Sequence, residues 1–243
     1  MIKENISKVK ERISYTCSKT NQNPDSITII AVTKARTAEQ IKEAIDAGIT
    51  DIAENKVQEA IVKYNDLRPT TYDLQPTKWH LVGHLQTNKV KEAVKIFDLI
   101  QSVDSIHLAQ EIDKQAARIN KIQDILIEVK TSPETTKFGL KPNEVIEVME
   151  EIAKFKNINI KGLMTIAPLF DNPEKTRPYF RMLRELKDRI NDLRATTYDL
   201  QILSMGMTDD FEVAIEEGSN MVRLGRAIFE DADFRGCNAD LRG

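Results

Sequence analysis

The sequence alternates short apolar, β-branched runs with amphipathic helical patterns along its length. The candidate strands recur at intervals of roughly 30 residues, the length of one β-α-β unit. They are 27–33, 49–53, 78–82, 97–102, 124–130, 160–166, 200–204 and 221–224. The helical patterns between them are 37–47, 55–67, 87–95, 105–121, 142–156, 174–194 and 209–217. This alternation predicts parallel strands covered by helices.

The predicted fold class is therefore α/β, a single (β/α)8 barrel of the TIM type that forms one domain over residues 1–243. Apolar residues at helical spacing predict an extra N-terminal helix over 1–20, and 230–243 forms a C-terminal tail. The alternative is a doubly wound open sheet, but the Gly-rich fingerprint of that fold does not follow the first strand.

Composition excludes several classes of partner. The 35 basic and 38 acidic residues give a net charge of -3, which favours neither nucleic acid nor an anionic membrane. The sequence contains no apolar stretch of about 18 residues, and 1–20 lacks the apolar core of a signal peptide. Cys17 and Cys237 are too far apart to suggest a disulfide framework or a zinc site. A cytoplasmic location is predicted.

Lys34 ends the first apolar run and is the first candidate functional residue. Desolvation at the mouth of a buried strand disfavours the charged form of an amine. An uncharged lysine is a nucleophile that condenses with aldehydes to give a Schiff base. The alternative is that Lys34 only ends the strand and extends to water.

Two segments near the C-terminus contain residues suited to an anion, at the strand ends where barrels commonly bind phosphate. Ser204 and Thr208 belong to a hydroxyl-rich turn that leads into a helix, and helix N-termini attract phosphate. Gly225 would let backbone amides approach an anion, and Arg223 would point inward from the last strand. The alternative is that Ser204 and Thr208 only cap the following helix.

An amine, a phosphate site and an interior arginine together fit a ligand with an aldehyde, a ring and a phosphate. Pyridoxal 5′-phosphate is such a ligand, and enzymes hold it by a lysine Schiff base with an Asp or Arg at the ring nitrogen. Because arginine is a permanent cation with donors only, Arg223 favours an unprotonated ring nitrogen. The pattern therefore indicates a site that holds the cofactor rather than one that drives demanding amino-acid chemistry.

Six blocks of the sequence carry a family resemblance. They are 31–34, 54–59, 79–89, 162–168, 204–210 and 222–229. In this order they resemble the pyridoxal phosphate homeostasis proteins, also called the YggS/PROSC family. The resemblance implies a barrel of the alanine racemase N-terminal type with pyridoxal 5′-phosphate on Lys34. It also implies a role in buffering or delivering the cofactor and in balancing vitamin B6 and amino-acid pools.

The same resemblance implies roles for other residues. Arg223 faces the ring nitrogen, Ser204, Thr208, Gly225 and Arg226 hold the phosphate, and Asn55 and His80 line the pocket near the ring. The sequence departs from the family at Ala53 and Glu230, where glycine is usual, and at Thr208, where serine is common. None of these departures removes a residue that the ligand needs.

Two other functions stay open. A pyridoxal phosphate-dependent amino-acid racemase would need a second acid/base opposite Lys34 and a second, β-rich domain, for which 230–243 is too short. A Schiff-base aldolase acting on sugar phosphates would place its lysine later in the barrel. We therefore predict a cofactor-binding protein rather than an enzyme. We also predict a monomer that makes transient contacts with cofactor-free enzymes.

Two further candidates carry less weight. His80 and His84 have the spacing of a zinc pair on a helix, but they start from a predicted strand, so no metal site is predicted. Lys137 lies in the loop after the fifth strand, where it either guards the pocket or is simply solvated.

Overall fold

A closed parallel barrel forms the centre of the molecule. The computed structural model describes residues 1–67, 77–134, 138–193 and 199–230. The strands pair in chain order, and the last strand pairs with the first. They are β1 (Thr28–Val32), β2 (Asp51–Glu54), β3 (Lys78–Leu81), β4 (Leu99–Val103), β5 (Gln123–Glu128), β6 (Ile158–Met164), β7 (Ile202–Ser204) and β8 (Met221–Leu224). The predicted barrel is confirmed, and the open-sheet alternative is excluded.

Helices surround the barrel. In the described ranges they are α1 (Ile2–Thr20), α2 (Ala38–Asp46), α3 (Val57–Leu67), α4 (Val90–Ile96), α5 (Ile106–Ala117), α6 (Val145–Ile152), α7 (Arg177–Asp192), α8 (Phe211–Glu216) and α9 (Arg226–Phe229). Short 3-10 turns occur at Pro24–Ser26, Thr87–Lys89 and Pro173–Thr176. None of the helices within these ranges combines the length and the hydrophobicity needed to cross a bilayer.

The predicted helices are confirmed with ends that differ by a few residues, and α9 is an addition. Helices α4, α6 and α7 each start three residues later than predicted, and in α6 this is because Pro142 belongs to the turn that precedes the helix. Lys137, Cys237 and the part of the predicted tail after Glu230 lie outside the described residues.

The barrel has an apolar interior that is separate from the core under the helices. The interior cluster consists of Ile30, Ala53, Val82, Leu99, Leu126, Met164 and Met221, with Val32, Ile166 and Ile202 packed against it. Neighbouring strand residues such as Ala31, Ile52 and Leu81 belong to the larger cluster outside the sheet. Because side chains alternate between the faces of a strand, a residue two positions from an interior residue also faces the interior, and we call this position the inward register.

Helix α1 positions the segment that follows β8. Its apolar stripe is buried, and its Asn5 side chain donates to the carbonyl oxygens of Ile228 at 3.1 Å and Glu230 at 3.0 Å. Arg12 forms a bidentate ion pair with Glu212 of α8, with its shorter contact at 2.9 Å. The extra N-terminal helix therefore holds the end of the last β-α unit against the barrel.

Gly162→Ala should destabilise the barrel strongly. A Cβ atom at Gly162 in β6 would lie 2.0 Å from the carbonyl oxygen of Ile202 in β7, so two paired strands would have to separate. Forced overpacking of this kind costs up to about 3 kcal/mol. We expect a decrease of that size in the free energy of unfolding, measured by urea denaturation.

Gly225→Ala is the matched control. A Cβ atom at Gly225 would approach no closer than 3.6 Å to the carbonyl oxygen of Val32, and the φ angle of -106° is open to any residue. Its free energy of unfolding should change by less than about 0.5 kcal/mol. Equal losses in the two variants would contradict the assignment of Gly162 to a close strand contact.

Candidate functional site

Polar side chains on the inward register gather at the carboxyl ends of the strands. Each lies two positions from a residue of the interior cluster or packed against it: Lys34, Asn55, His80, Gln101, Glu128, Ser204 and Arg223. Ligands of (β/α)8 barrels bind at this end. The fold therefore brings the predicted residues of β1, β2, β3, β7 and β8 to one place.

A chain of hydrogen bonds crosses the barrel interior. Arg223 Nη1 donates to Ser204 Oγ at 2.7 Å, and Ser204 Oγ donates to Gln101 Oε1 at 2.6 Å. Gln101 Nε2 lies 3.0 Å from His80 Nδ1. His80 Nε2 lies 2.9 Å from Asp51 Oδ1. The predicted residues His80, Ser204 and Arg223 are thus joined through a glutamine.

Arg223 is a buried cation held by neutral acceptors. Its side chain is in contact with Ser204 and also donates from Nη2 to the carbonyl oxygen of Thr165 at 2.8 Å. Burial lowers its pKa to about 10, against the opposing charges of Asp210 and Glu128, so it stays protonated at neutral pH. Within the described ranges it forms no salt bridge, which leaves its charge available to a ligand.

Glu128 is an interior carboxyl on β5 that is only 7% exposed. Burial and, to a smaller extent, the charge of Asp104 raise its pKa to about 7, although the charge of Arg223 opposes them. No hydrogen bond to its carboxylate is found among the described residues. The site therefore includes an acid that changes charge near neutral pH.

Glu128→Gln should remove a pH dependence of stability. Since the folded pKa lies above the unfolded value of 4.5, the folded state binds more protons between pH 4.5 and 7, and stability falls as pH rises through that window. As the pH rises from 4.5 to 8, the free energy of unfolding of the variant should increase by about 3 kcal/mol relative to that of the wild type. Urea denaturation over this range measures the difference.

The control for that series is Glu150→Gln, which changes an exposed glutamate of the helical layer. The free energy of unfolding of this variant should change with pH as steeply as that of the wild type. If Glu128→Gln also kept that slope, the raised pKa of Glu128 would be wrong.

The predicted phosphate residues Thr208, Gly225 and Arg226 lie together where the loop after β7 meets the start of α9. Thr208 Oγ1 accepts from the amide of Ala227 at 3.2 Å, and Arg226 donates to the carboxylate of Asp209. Neither the φ angle nor packing requires a glycine at 225, so its missing side chain keeps space open above the backbone. That space fits the close approach of an anion.

Ser204 and Thr208 do not cap α8. The N-cap residue is Asp210, whose carboxylate accepts from the amide of Met207 at 2.6 Å. The capping alternative for the two hydroxyls is therefore wrong. Ser204 lies deeper than Thr208, because its hydroxyl already contacts Gln101 and Arg223.

Lys34 lies in a turn two residues beyond β1 and is exposed. The turn is closed by a hydrogen bond from the amide of Arg36 to the carbonyl of Thr33 at 3.0 Å, and Ala35 adopts a φ of 57°. The expected desolvation of this amine is not found, because the strand ends before Lys34 and its side chain reaches water. Its register, and not its burial, places it at the site.

Asn55 lies just beyond β2 and is half-buried. The backbone of Gly83 packs against it so closely that a Cβ at Gly83 would lie 2.2 Å from the Asn55 carbonyl oxygen. Ser102 Oγ donates to the Gly83 carbonyl at 2.7 Å and fixes this approach. The loops after β2 and β3 are thus locked together beside the inward-facing residues.

An ion-pair cluster clamps the Lys34 turn from outside the barrel. Lys63 of α3 donates to the carbonyl of Thr33 at 2.6 Å, to Glu54 Oε1 at 2.7 Å and to Glu59 Oε1 at 2.6 Å. Glu59 Oε1 also accepts from the amide of Ala35 at 2.7 Å. The backbone on both sides of Lys34 is therefore tied to one buried lysine.

The two histidines considered for zinc have different partners. His80 is inside the barrel, whereas the His84 ring stacks on Phe138 at 3.8 Å and lies 3.5 Å from Asp104. A search of the described residues finds no group of three potential metal ligands.

Gln101 and Glu128 belong to the site but were not predicted from the sequence, and Asp51 is connected to the site only through His80. Gln101 and Glu128 interrupt otherwise apolar strand runs, and this interruption at inward register is the signal that could have found them. Asp51 opens its strand, and only the contact with His80 shows its role.

Known proteins share this architecture. Residues 2–233 match the profile of the family described as alanine racemase, N-terminal domain. An alanine racemase from Clostridium difficile 630 has the same fold, with a TM-score of 0.68 at 18% identity over 90% of this chain and 56% of that one. The fold and the site thus define a barrel of the alanine racemase N-terminal class.

Relatives with higher sequence identity show which family within this class the chain resembles. The pyridoxal phosphate homeostasis protein of Aquifex aeolicus (strain VF5) is 42% identical over 231 residues, which cover 95% of this chain and 98% of that protein. PipY of Synechococcus elongatus, solved with PLP bound, has a TM-score of 0.81 at 34% identity over 94% of this chain and 100% of that one. The chain belongs to the family of pyridoxal phosphate homeostasis proteins, which confirms the resemblance.

Proposed function

We propose that the chain binds pyridoxal 5′-phosphate as a Schiff base with Lys34 and buffers or delivers it in vitamin B6 and amino-acid homeostasis. The observation that carries the proposal is Arg223, a buried cation with neutral partners at the ligand-binding end of the barrel. The name of the Aquifex relative and the PLP in the PipY structure support the same ligand.

The residues present fit the group. Lys34 would supply the amine for the aldehyde, and Arg223 would be the donor at the ring nitrogen. The remaining proposed binding residues are Ser204, Thr208, Gly225 and Arg226 for the phosphate and Asn55 and His80 beside the ring. In addition, the Ser204 hydroxyl holds Arg223, which donates to it at 2.7 Å.

The site favours retention of the cofactor over its use in catalysis. When bound, pyridoxal phosphate supplies an electron sink for carbanions, and that sink is strongest when the ring nitrogen is protonated. Arg223 has donors only, so it would hold the ring nitrogen of a bound cofactor in its unprotonated form. Racemase turnover of alanine or serine is therefore expected to be absent. Rapid exchange of the α-proton with inversion, followed by NMR in deuterated water, would support the enzyme alternative instead.

Location, assembly and partners belong to the same proposal. We infer a cytoplasmic monomer of one domain that contacts cofactor-free enzymes transiently. Mixing the loaded protein with a cofactor-free acceptor enzyme, in the presence of a trap for free cofactor, tests direct transfer. Direct delivery activates the acceptor despite the trap, whereas release into solution does not.

Borohydride trapping tests the binding proposal. The protein is incubated with pyridoxal 5′-phosphate, reduced, digested and analysed by mass spectrometry. The expected result is a yellow protein before reduction and one phosphopyridoxyl group on Lys34 afterwards. An adduct on another side chain, or none, would contradict the proposal.

A further inference from the structure

The buried hydrogen-bond chain from Arg223 to Asp51 has chemically fixed ends. Arginine has donors only, so Ser204 Oγ must accept at that end. At the other end, burial raises the pKa of Asp51, but hydrogen bonds from His80 and Thr50 outweigh this and hold the pKa below its usual range. Asp51 is thus an ionised acceptor, and His80 must donate to it from Nε2.

The roles of Arg223 and Asp51 determine which atoms of His80 and Gln101 donate and which accept. An imidazole whose single proton is on Nε2 has a lone pair on Nδ1 that requires a donor, and Gln101 Nε2, 3.0 Å from His80 Nδ1, supplies one. Gln101 Oε1 then faces the Ser204 hydroxyl, which donates to it at 2.6 Å. Every link therefore donates in the same direction, from the guanidinium to the carboxylate.

Water cannot replace a lost link. None of the five residues is more than 6% exposed, and Gln101 and Ser204 are fully buried. Gln101 Nε2 also contacts the Met221 sulfur at 3.5 Å, so the amide fills its space in the interior. The amide of Gln101 offers a donor to His80 and an acceptor to Ser204 together, which an ionised carboxylate or an apolar side chain of similar size does not.

We propose that Gln101 is a positioning residue whose amide sets the direction of this chain and thereby holds the Arg223 guanidinium at the ligand-binding end of the barrel. An effect of Gln101 on the bound cofactor rests on the proposed function. Its effect on the tautomer of His80 and on the hydrogen bonds of Arg223 does not, because both can be measured without the cofactor. Gln101 acts through Ser204 on Arg223.

Nitrogen-15 NMR of the protein without cofactor tests the direction of the chain. The sequence has three histidines, so variants at His84 and His107 identify the His80 ring signals. At pH 8 the expected result is a proton on Nε2 of His80 and an unprotonated Nδ1. A proton on Nδ1 instead would overturn the proposal, since Gln101 could then not donate to it.

One variant tests the hold on Arg223, and a second tests the direction of the chain. Gln101→Met removes both links of the amide, so the guanidinium protons of Arg223 should exchange with water about tenfold faster, because a buried link is lost. Gln101→Glu, when ionised, offers acceptors only and should force a proton onto Nδ1 of His80. The matched control is Gln115→Met, which removes a buried glutamine of α5 that bonds Glu111 outside the barrel. Unchanged Arg223 exchange in Gln101→Met would overturn the proposal.

The cofactor gives a separate measurement. With pyridoxal 5′-phosphate added, Gln101→Met should shift the visible absorption band, and Gln115→Met should not. If the wild-type protein forms no adduct, the proposed function fails while the NMR results still decide the role of Gln101. If the wild type binds and Gln101→Met leaves the band unchanged, the link from Gln101 to the cofactor is wrong.

Discussion

Lys34→Ala should abolish the reducible adduct with pyridoxal 5′-phosphate. Alanine has no amine, so the expected yield of phosphopyridoxyl-lysine falls from about one per chain to none. Mass spectrometry of the reduced, digested protein measures the yield. Binding without the covalent bond can persist, because Thr208, Gly225 and Arg223 do not depend on the lysine.

Lys56→Ala is the control for this change. Lys56 is also exposed and lies just beyond β2, so it has similar access to a soluble aldehyde. Its loss should leave the adduct on Lys34 unaffected. An adduct that survived in Lys34→Ala and disappeared in Lys56→Ala would show that the Schiff base forms on Lys56 and not on Lys34.

The comparison of Lys34 with Lys56 matters because Lys34 is exposed, so burial does not make its amine reactive. The inward register of β1 brings it to the site, and the cluster around Lys63 fixes its backbone. An exposed lysine reacts selectively when a neighbouring site holds the aldehyde close to it. The selectivity for Lys34 over Lys56 would therefore measure the contribution of the proposed phosphate and ring contacts.

The barrel could be predicted from the sequence because each strand is a compact apolar run and each helix has a periodic stripe. These patterns are local, and the parallel β-α alternation leaves few topologies. The ends of α6 and the existence of α9 could not be predicted so well. Both depend on how short segments pack against the barrel, as the contact of Asn5 with the Ile228 carbonyl shows.

The site could be predicted where chemistry is visible in one residue and its place in a strand. Arg223 follows this rule and is buried inside the barrel, whereas the role of Lys34, which lies two residues beyond β1, stays a prediction. Gln101 could not be assigned from its own strand, because its role depends on His80 and Ser204 on other strands. Long-range partners of this kind are fixed by closure of the barrel.

Lys63→Met should have a large effect on stability. Glu54 is fully buried, its Oε1 accepts from Lys63 and Thr33, and its Oε2 has no partner among the described residues. Removing the lysine leaves a buried carboxylate without its counter-charge, which costs about 3–5 kcal/mol. Urea denaturation at pH 8 measures this loss.

The pH dependence separates the charge from the packing of Lys63. Burial raises the pKa of Glu54, and the Lys63 ammonium opposes that rise, so without Lys63 the carboxyl should protonate at higher pH. Since a raised folded pKa makes stability fall as pH rises, the loss in Lys63→Met should be larger at pH 8 than at pH 5.

Two further variants complete this test. Lys95→Met removes an exposed lysine paired with Glu92 and should cost less than about 0.5 kcal/mol. Adding Glu54→Gln to Lys63→Met should recover part of the lost stability, because the unpaired charge is gone. A loss in Lys63→Met that is independent of pH and not recovered by Glu54→Gln would show that the lysine acts through packing alone. The clamp on the Lys34 turn would then be a contact of the α3 side chain and not an electrostatic one.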